Sequence, residues 1–324
     1  METMNYKVYI GTRKSRLALI QTEIAAKSIR ECFPEARIVI RPMSTQGDRN
    51  QDQSLTSFGG KGVFTQELEE ALLSGAIDMA IHSAKDMPME FAEGTKIGAV
   101  FPRGDARDVV VTRDGTRCAD LPPGAVVGTG SLRRRLQLSA AYPQLTFKDV
   151  RGNVKTRLEK LADGQYDALV LAAAGLCRLR EWESAEERRW YERFHYEYLD
   201  TDVMLPAAGQ AIIAAQTRKP GRFPEKDKYI EAICRAVTDK AALAQLTAER
   251  GFLKACGGSC NAPAAALAKK DPSGGLILHT VYAPDGIHPI RKTEEGRMDE
   301  AETLGRLAWD AYDHDGKEGG RSDR

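Results

Sequence analysis

Residues 125–138 read AVVGTGSLRRRLQL. Ala125 to Gly128 is a short apolar run of strand type. Gly128-Thr129-Gly130 is a small-residue turn, and Ser131 opens a helix that the spacing carries to Ala140. Strand, tight turn and helix in that order leave free N–H groups and the positive end of a helix dipole at the strand's C-terminal end, which favours an anion there. Residues 8–20, VYIGTRKSRLALI, repeat the plan. Val8 to Ile10 is a strand, Gly11-Thr12 is the turn, and Leu17, Ile20, Ile24 and Ile29 recur at helical spacing.

On either side of these stretches strands and helices alternate. Arg37 to Met43 and Ala76 to Ile81 read as strands, and Val63 to Ser74 as a helix with Phe64, Leu68, Leu72 and Leu73 on one side. The second strand leads into His82-Ser83-Ala84-Lys85-Asp86. Beyond Phe101-Pro102-Arg103-Gly104 come strands at Val109–Thr112, Leu145–Val150 and Ala168–Leu171, with a helix at Asn153–Leu161. This alternation predicts an α/β fold built from βαβ units with mostly parallel sheets. Glu181 to Asp200, which contains the aromatic-rich segment Trp182 to Tyr198, reads as a helical connection without a strand. Leu205 to Gln216 is apolar again, and Pro220 to Lys228 reads as a linker. A third unit follows, with helices at Tyr229–Arg235, Ala241–Ala255 and Ala301–Tyr312 and strands at Ala262–Ala268 and Leu276–Tyr282. Gly316 to Arg324 is a polar tail.

The length of 324 residues suits two or three domains. Forty-seven basic and 46 acidic side chains nearly cancel, so the composition does not point to a polyelectrolyte partner. The longest apolar run, Ala168 to Cys177, is about half of the ~20 residues needed to span a membrane. METMNYKVYIGTRKS has no apolar core of a secretory signal. Six scattered cysteines predict a reduced, cytoplasmic chain without a disulfide framework. Cys256 and Cys260 form a C-x-x-x-C pair, but nothing near them completes a metal site, and none is expected.

The charge is unevenly spread. Phe101 to Arg180 holds eleven arginines and three lysines against eight acidic residues. The planar fork of arginine suits carboxylate or phosphate. Arg133-Arg134-Arg135 follow one strand end, Arg151 and Arg157 the next, and Arg178 the third. Open α/β sheets bind ligands at strand C-termini, so the pattern predicts a cleft for a ligand with several anionic groups. A solvated helix face is the plainer alternative for the arginine run. Nucleic acid fits less well, because no aromatics interleave with the arginines.

Asp86, beside Lys85 at a strand end, can stay ionised and stabilise a developing positive charge or move a proton. As a helix N-cap or surface ion pair it would do neither. His82 reads as structural. Cys256-Gly257-Gly258-Ser259-Cys260-Asn261-Ala262-Pro263 is a glycine-rich loop whose thiol is either an accessible attachment point or a buried, inert cysteine.

Six segments in one order carry a family resemblance over about Val8 to Tyr312: IGTRKSRLAL, GGKGVFTQELEEALLSGAIDMAIHSAKDMP, VGTGSLRRRLQL, RGNVKTRLEKL, DALVLAAAGLCRL and ERGFLKACGGSCNAP. The chain resembles the hydroxymethylbilane synthase family, also called porphobilinogen deaminase. The resemblance implies a transferase that joins four porphobilinogen molecules head to tail with loss of ammonia. The chain grows on a dipyrromethane cofactor held by a thioether, here at Cys260, while Cys256 lies outside the family position. Asp86 of H-S-x-K-D is the implied catalytic residue, stabilising a positively charged azafulvene-like intermediate. Each porphobilinogen carries an acetate and a propionate, so the filled cleft holds about a dozen carboxylates, and each would be costly to bury unpaired.

Motif by motif, the resemblance assigns Ser83, Lys85, Asp86, Ser131, Arg133, Arg134 and Arg157 to the cofactor. It assigns Arg13, Gln21, Arg151, Arg157 and Arg178 to substrate, with Arg103 and Arg107 as further candidates. Lys61 and Phe64 match a loop over the cleft. The implied fold is two type II periplasmic-binding-protein-like α/β domains, residues 1–101 with 202–219 and residues 102–201. A smaller α+β domain, 220–324, bears the cysteine loop. A monomer is implied, with no nucleic acid or membrane partner. This sequence departs from the family pattern at Ala208-Gly209-Gln210-Ala211, where P-G-Q-G is usual, at Gln216 in place of Glu, and at Asn261-Ala262-Pro263. The competing reading is a non-catalytic type II solute binder for an acidic ligand, which needs neither Asp86 nor Cys260.

Overall fold

A computed structural model describes residues 7–44, 65–258 and 262–318, and these form three sheets. The first unit begins with β1 (Lys7–Arg13), α1 (Arg16–Cys32), β2 (Arg37–Met43), α2 (Gln66–Ser74), β3 (Met79–Ser83) and β4 (Thr95–Val100). The second holds β5 (Asp108–Thr112), β6 (Val126–Gly128), α3 (Leu132–Ala141), β7 (Thr146–Lys148), α4 (Val154–Ala162) and β8 (Ala168–Ala172). It closes with α5 (Ala173–Trp182), α6 (Ala185–Tyr191) and β9 (His195–Tyr198). The chain then returns as β10 (Ile213–Arg218) and α7 (Pro224–Val237). The third unit is α8 (Lys240–Ala255), β11 (Ala264–Lys270), β12 (Leu276–Tyr282), β13 (Ile290–Gly296) and α9 (Ala301–Glu318).

The two large sheets have one topology. Their strand orders are β2-β1-β3-β10-β4 and β7-β6-β8-β5-β9. In each, three parallel strands are followed by one antiparallel strand that enters from a crossing between the units. β5 arrives from the first unit, and β10 returns from the second. An antiparallel strand begins at the edge where its parallel neighbours end. Asp108 at the start of β5 therefore pairs with Ala172 at the end of β8, and Ile213 with Ser83. The crossings consequently lie at the mouth of both sheets, beside the turns that the sequence marks as anion sites. The third sheet is an antiparallel meander, β11-β12-β13, so the fold is two α/β units with a smaller α+β unit.

Gly11-Thr12, expected as a turn, instead continue β1 and pair with Arg41 and Pro42 of β2, whereas Gly128 ends β6 and the turn follows it. A Cβ on Gly11 would collide with Ile77 Cδ1, and one on Gly128 would lie 2.5 Å from Leu169 Cδ2. Ser15 caps α1 by accepting from Ala18 N at 3.4 Å, and Asn153 caps α4 by accepting from Thr156 N at 2.9 Å. The first core gathers Val8, Ile10, Ile29, Met79, Ile81 and Phe101. The second gathers Val109, Val111, Leu158, Leu169, Leu171 and Leu176, and it takes in Leu17 and Ile20 from α1, so α1 belongs to both units.

Several elements differ from the sequence expectation. The expected linker at Pro220–Lys228 contains the start of α7, with Pro224 in the first turn, where its missing N–H costs nothing. Ile230, Ile233, Cys234 and Val237 of α7 lie in the first core, although a boundary at 220 groups them with the third unit. β9 lies in the segment expected to hold no strand. It is an edge strand pairing only with β5, and such a strand needs little apolar sequence. β13, IRKTEEG, is another edge strand, charged in the way that discourages edge-to-edge association. β4 has no counterpart among the expected strands.

Among the described residues, Ala211 is the one non-glycine with a positive φ, at 72°. It is the last residue of Ala208-Gly209-Gln210-Ala211, where the resemblance leads one to expect glycine. A Cβ in that conformation is strained by about 1–2 kcal/mol. Ala211→Val, which adds β-branching at a buried left-handed position, is expected to lower stability in urea unfolding by about 2–3 kcal/mol. Ala211→Gly is expected to stay within about 1 kcal/mol of the parent, because relief of strain offsets the lost methyl.

Candidate active site

One buried carboxylate organises the mouth of the second sheet. Asp108 is fully buried and takes both neighbouring arginines: Arg134 Nη2 at 2.7 Å and Arg133 Nη1 at 2.8 Å. Burial alone would raise the Asp108 carboxyl, but the two guanidiniums overrule it and hold it well below the usual carboxylate range. Arg133 also donates to Leu205 O at 2.6 Å and Arg134 to Val170 O at 2.8 Å. These residues, read from sequence as cofactor ligands, are anchored on the protein by part of their donor capacity. A guanidinium has five N–H donors, so each anchored arginine retains the charge and further donors for an anion.

Gln210, on the second crossing, is buried and joins the two units. Its Nε2 donates to Ala106 O at 2.7 Å and to Asp108 Oδ1 at 3.1 Å, and its Oε1 accepts from Lys85 Nζ at 3.3 Å. Lys85 leaves β3 on the turn Ala84–Asp86. Burial pushes its ammonium down to about 8; Arg134 and Arg133 add to the depression, while Asp86 and Asp108 oppose it. Arg157, in the first turn of α4, is pushed down to about 10 by burial and by Arg134 and Arg151, with Asp86 opposing. Its Nε donates to Gly152 O at 2.8 Å. Asp86 is exposed and acts electrostatically on both Lys85 and Arg157. The turn after β3 thus faces the arginines of the second unit.

The remaining predicted residues surround this centre. Gln21 and Ser83 hydrogen-bond to each other at 2.8 Å. Arg13 lies near His82, whose imidazole is held neutral, down to about 4, by burial and secondarily by Arg13, with Gln216 opposing. Ser131 sits at the N-cap of α3 and is half-buried. Arg151 lies 3.7 Å from Asp149. Arg178 donates to Ala211 O at 2.7 Å, and burial lowers its pKa. Arg107 pairs with Asp105 at 2.7 Å. Lys61, Phe64 and Cys260 lie outside the described residues. Cys256 is half-buried and donates to Leu253 O at 3.2 Å.

A second buried carboxylate ties the third unit to both crossings. Glu249 of α8 binds the Arg103 guanidinium through both oxygens and accepts from Gly209 N at 2.6 Å and Ala268 N at 2.8 Å. Asp108, Gln210 and Glu249 were missed in the sequence. The available signal was a carboxylate immediately before an apolar strand, Asp108-Val109-Val110-Val111, where a charge is costly unless paired.

Two family models cover the chain: "Porphobilinogen deaminase, dipyromethane cofactor binding domain" matches residues 8–223, and "Porphobilinogen deaminase, C-terminal domain" matches residues 243–310. The chain belongs to the porphobilinogen deaminase family. The porphobilinogen deaminase of Thermus thermophilus is 42% identical over 313 residues, covering 96% of this chain and 97% of the relative. That of Streptococcus sanguinis is 42% identical over 280 residues, covering 86% and 87%. Among solved structures, the BvgS VFT2 domain of Bordetella pertussis aligns at TM-score 0.41 and 19% identity over 71% of this chain and 85% of its own. The substrate binding protein of an amino acid ABC transporter aligns at TM-score 0.35 and 15% identity over 71% and 92%.

The dipyrromethane cofactor of the porphobilinogen deaminase family is rich in carboxylates, and the charge of the cleft fits it. Lys85, Arg133, Arg134, Arg151 and Arg157 crowd together with Asp86 and Asp108 as counter-charges; burial chiefly depresses Lys85 and Arg157, and the neighbouring guanidiniums add to it. Added carboxylates would relieve it. Asp108→Asn would leave two buried guanidiniums short of counter-charge and is expected to cost about 3–5 kcal/mol in urea unfolding at pH 7. The folded Asp108 carboxyl lies below its ordinary value of 3.8, so its stabilisation is full above that value and is lost as pH falls through the depressed one. The gap between Asp108→Asn and parent should therefore hold from pH 7 to pH 5. A gap below about 1 kcal/mol would mean that the arginines are not held by this carboxylate.

Proposed function

We propose that this cleft condenses porphobilinogen head to tail into hydroxymethylbilane, releasing ammonia at each addition, on a dipyrromethane group joined to Cys260 by a thioether. The observation that carries the reading is the excess of positive charge packed around one exposed carboxylate, Asp86, at the mouth of two facing α/β sheets. When bound, the dipyrromethane supplies the pyrrole position to which each new unit is joined.

The protein's own residues bind, orient and stabilise. Ser83, Lys85, Ser131, Arg133, Arg134 and Arg157 hold cofactor carboxylates. Arg13, Gln21, Arg151, Arg157 and Arg178 hold those of substrate, and the resemblance alone assigns Lys61 and Phe64 to the same task. Charge-assisted bonds from arginine forks fix each acetate and propionate and so orient the ring. Asp86 places a negative charge where loss of ammonia leaves positive charge on a pyrrole, and it accepts from pyrrole N–H groups. A neutral His82 below this turn adds no competing cation.

The domains in this reading are 1–101 with 202–219, 102–201 and 220–324, with α7 packed on the first. The chain acts as a cytoplasmic monomer without nucleic acid, which the near-zero net charge and the inward placement of the arginines support. Among the described residues no helix is long and apolar enough to cross a membrane. A solute binder would use the same cleft but has no use for the Asp86 carboxylate.

The test is turnover with porphobilinogen, followed by ammonia release and by porphyrin absorbance after oxidation. The parent is expected to turn over. Asp86→Asn is expected to fold and bind with kcat reduced by about 100-fold or more. An unchanged kcat in that variant would remove Asp86 from the mechanism.

A further inference from the structure

α8 ends where the cysteine loop begins. Cys256 N donates to Phe252 O at 3.0 Å and Gly258 N to Leu253 O at 2.8 Å, so residues 256–258 wind back onto the last helical turn. Gly258 has a φ of 40°, and a Cβ there would lie 3.2 Å from Met89 Cγ. Met89 is three residues beyond Asp86, and Gly258 is two before Cys260. The root of the cysteine loop therefore touches the segment that leaves the Asp86 turn.

Arg250 holds that contact. Its Nη2 donates to Pro88 O at 2.6 Å and to Met89 O at 3.2 Å, and its guanidinium lies 5.2 Å from the centre of the Phe91 ring. The preceding residue, Glu249, grips both crossings, so this stretch of α8 is fixed to the frame on one side and to the Asp86 segment on the other. One planar side chain reaching two successive carbonyls and an aromatic face fixes direction as well as distance, which a lysine does less well.

We propose that Arg250 is a positioning residue for the condensation. It sets Pro88 and Met89, and through them Asp86, against the root of the loop that carries Cys260. The inference rests on the roles given above to Asp86 and Cys260. Arg250 itself touches neither substrate nor cofactor in this account, so its loss should change the rate of bond formation rather than substrate affinity.

The experiment compares the holoenzyme with Arg250→Met and Arg250→Lys. Intact mass gives the loaded fraction, urea unfolding the folded fraction, and rates are expressed per loaded, folded molecule. Arg250→Met is expected to lower kcat about 10- to 100-fold while KM for porphobilinogen stays within about twofold, the scale of a small misplacement of reacting groups. Arg250→Lys, which keeps one donor, should recover part of the loss. A parental kcat per loaded molecule in Arg250→Met overturns the proposal. So does a raised KM with unchanged kcat, or a lysine variant no better than methionine. If Arg250→Met does not fold or load, the kcat-against-KM split in Arg250→Lys decides alone. A parent protein that makes no tetrapyrrole instead defeats the functional reading, and the role of Arg250 falls with it.

Discussion

The Asp108 carboxylate is the constraint on which the rest of the cleft depends. Two guanidiniums, Arg133 and Arg134, lie buried beside it at 2.8 and 2.7 Å. Neither could stay buried and charged without it, because an unpaired buried ion costs several kcal/mol. Asp108 reaches this place because β5 runs antiparallel and begins at the mouth of its sheet. β5 runs that way because the chain enters the second unit by a crossing. The exchange of strands between the two large sheets and the charge pattern of the cleft are thus one feature. Gln210 completes it by joining Asp108, the first crossing and Lys85.

Around this anchor the cleft holds more positive charge than it can neutralise. Burial first, and the neighbouring guanidiniums second, bring Lys85 down to about 8 and Arg157 to about 10. Such a surface is unfavourable by itself and becomes favourable once carboxylates arrive. Affinity for a poly-acidic chain is therefore built in before any ligand binds, with the exposed Asp86 carboxylate beside the cationic cluster. The third unit is fastened by Glu249 to both crossings, so the cysteine loop starts from a point fixed relative to the cleft.

The sequence made some of this legible for definite reasons. The change from strand to helix after Gly128 was legible because the apolar period breaks there, whereas Gly11-Thr12, which look like a turn in sequence, continue β1 beside β2 because the close approach of Ile77 leaves room only for glycine in that strand. Asp86, Lys85 and Arg151 stand just past strand ends, where periodicity changes, and Arg157 lies in the helix that follows. β9 and β13 were hidden because edge strands tolerate charge, as in Glu197 and in Lys292 to Glu295. The start of α7 was hidden because Pro224 reads as a breaker although it occupies a first turn. Asp108, Gln210 and Glu249 were hidden most deeply. Their partners lie as far as 146 residues away in sequence, and no local pattern records such pairing. Arg133 and Arg134 were read as donors to a ligand, and only the fold reveals the carboxylate that first has to hold them.

The account depends most directly on a covalent group at Cys260, and the intact mass of the purified protein tests it. The expected mass exceeds that of the chain by two porphobilinogen units less two ammonia, with the excess absent in Cys260→Ser. A parent at the bare chain mass that gains nothing on incubation with porphobilinogen would contradict the account, as would an excess that survives in Cys260→Ser.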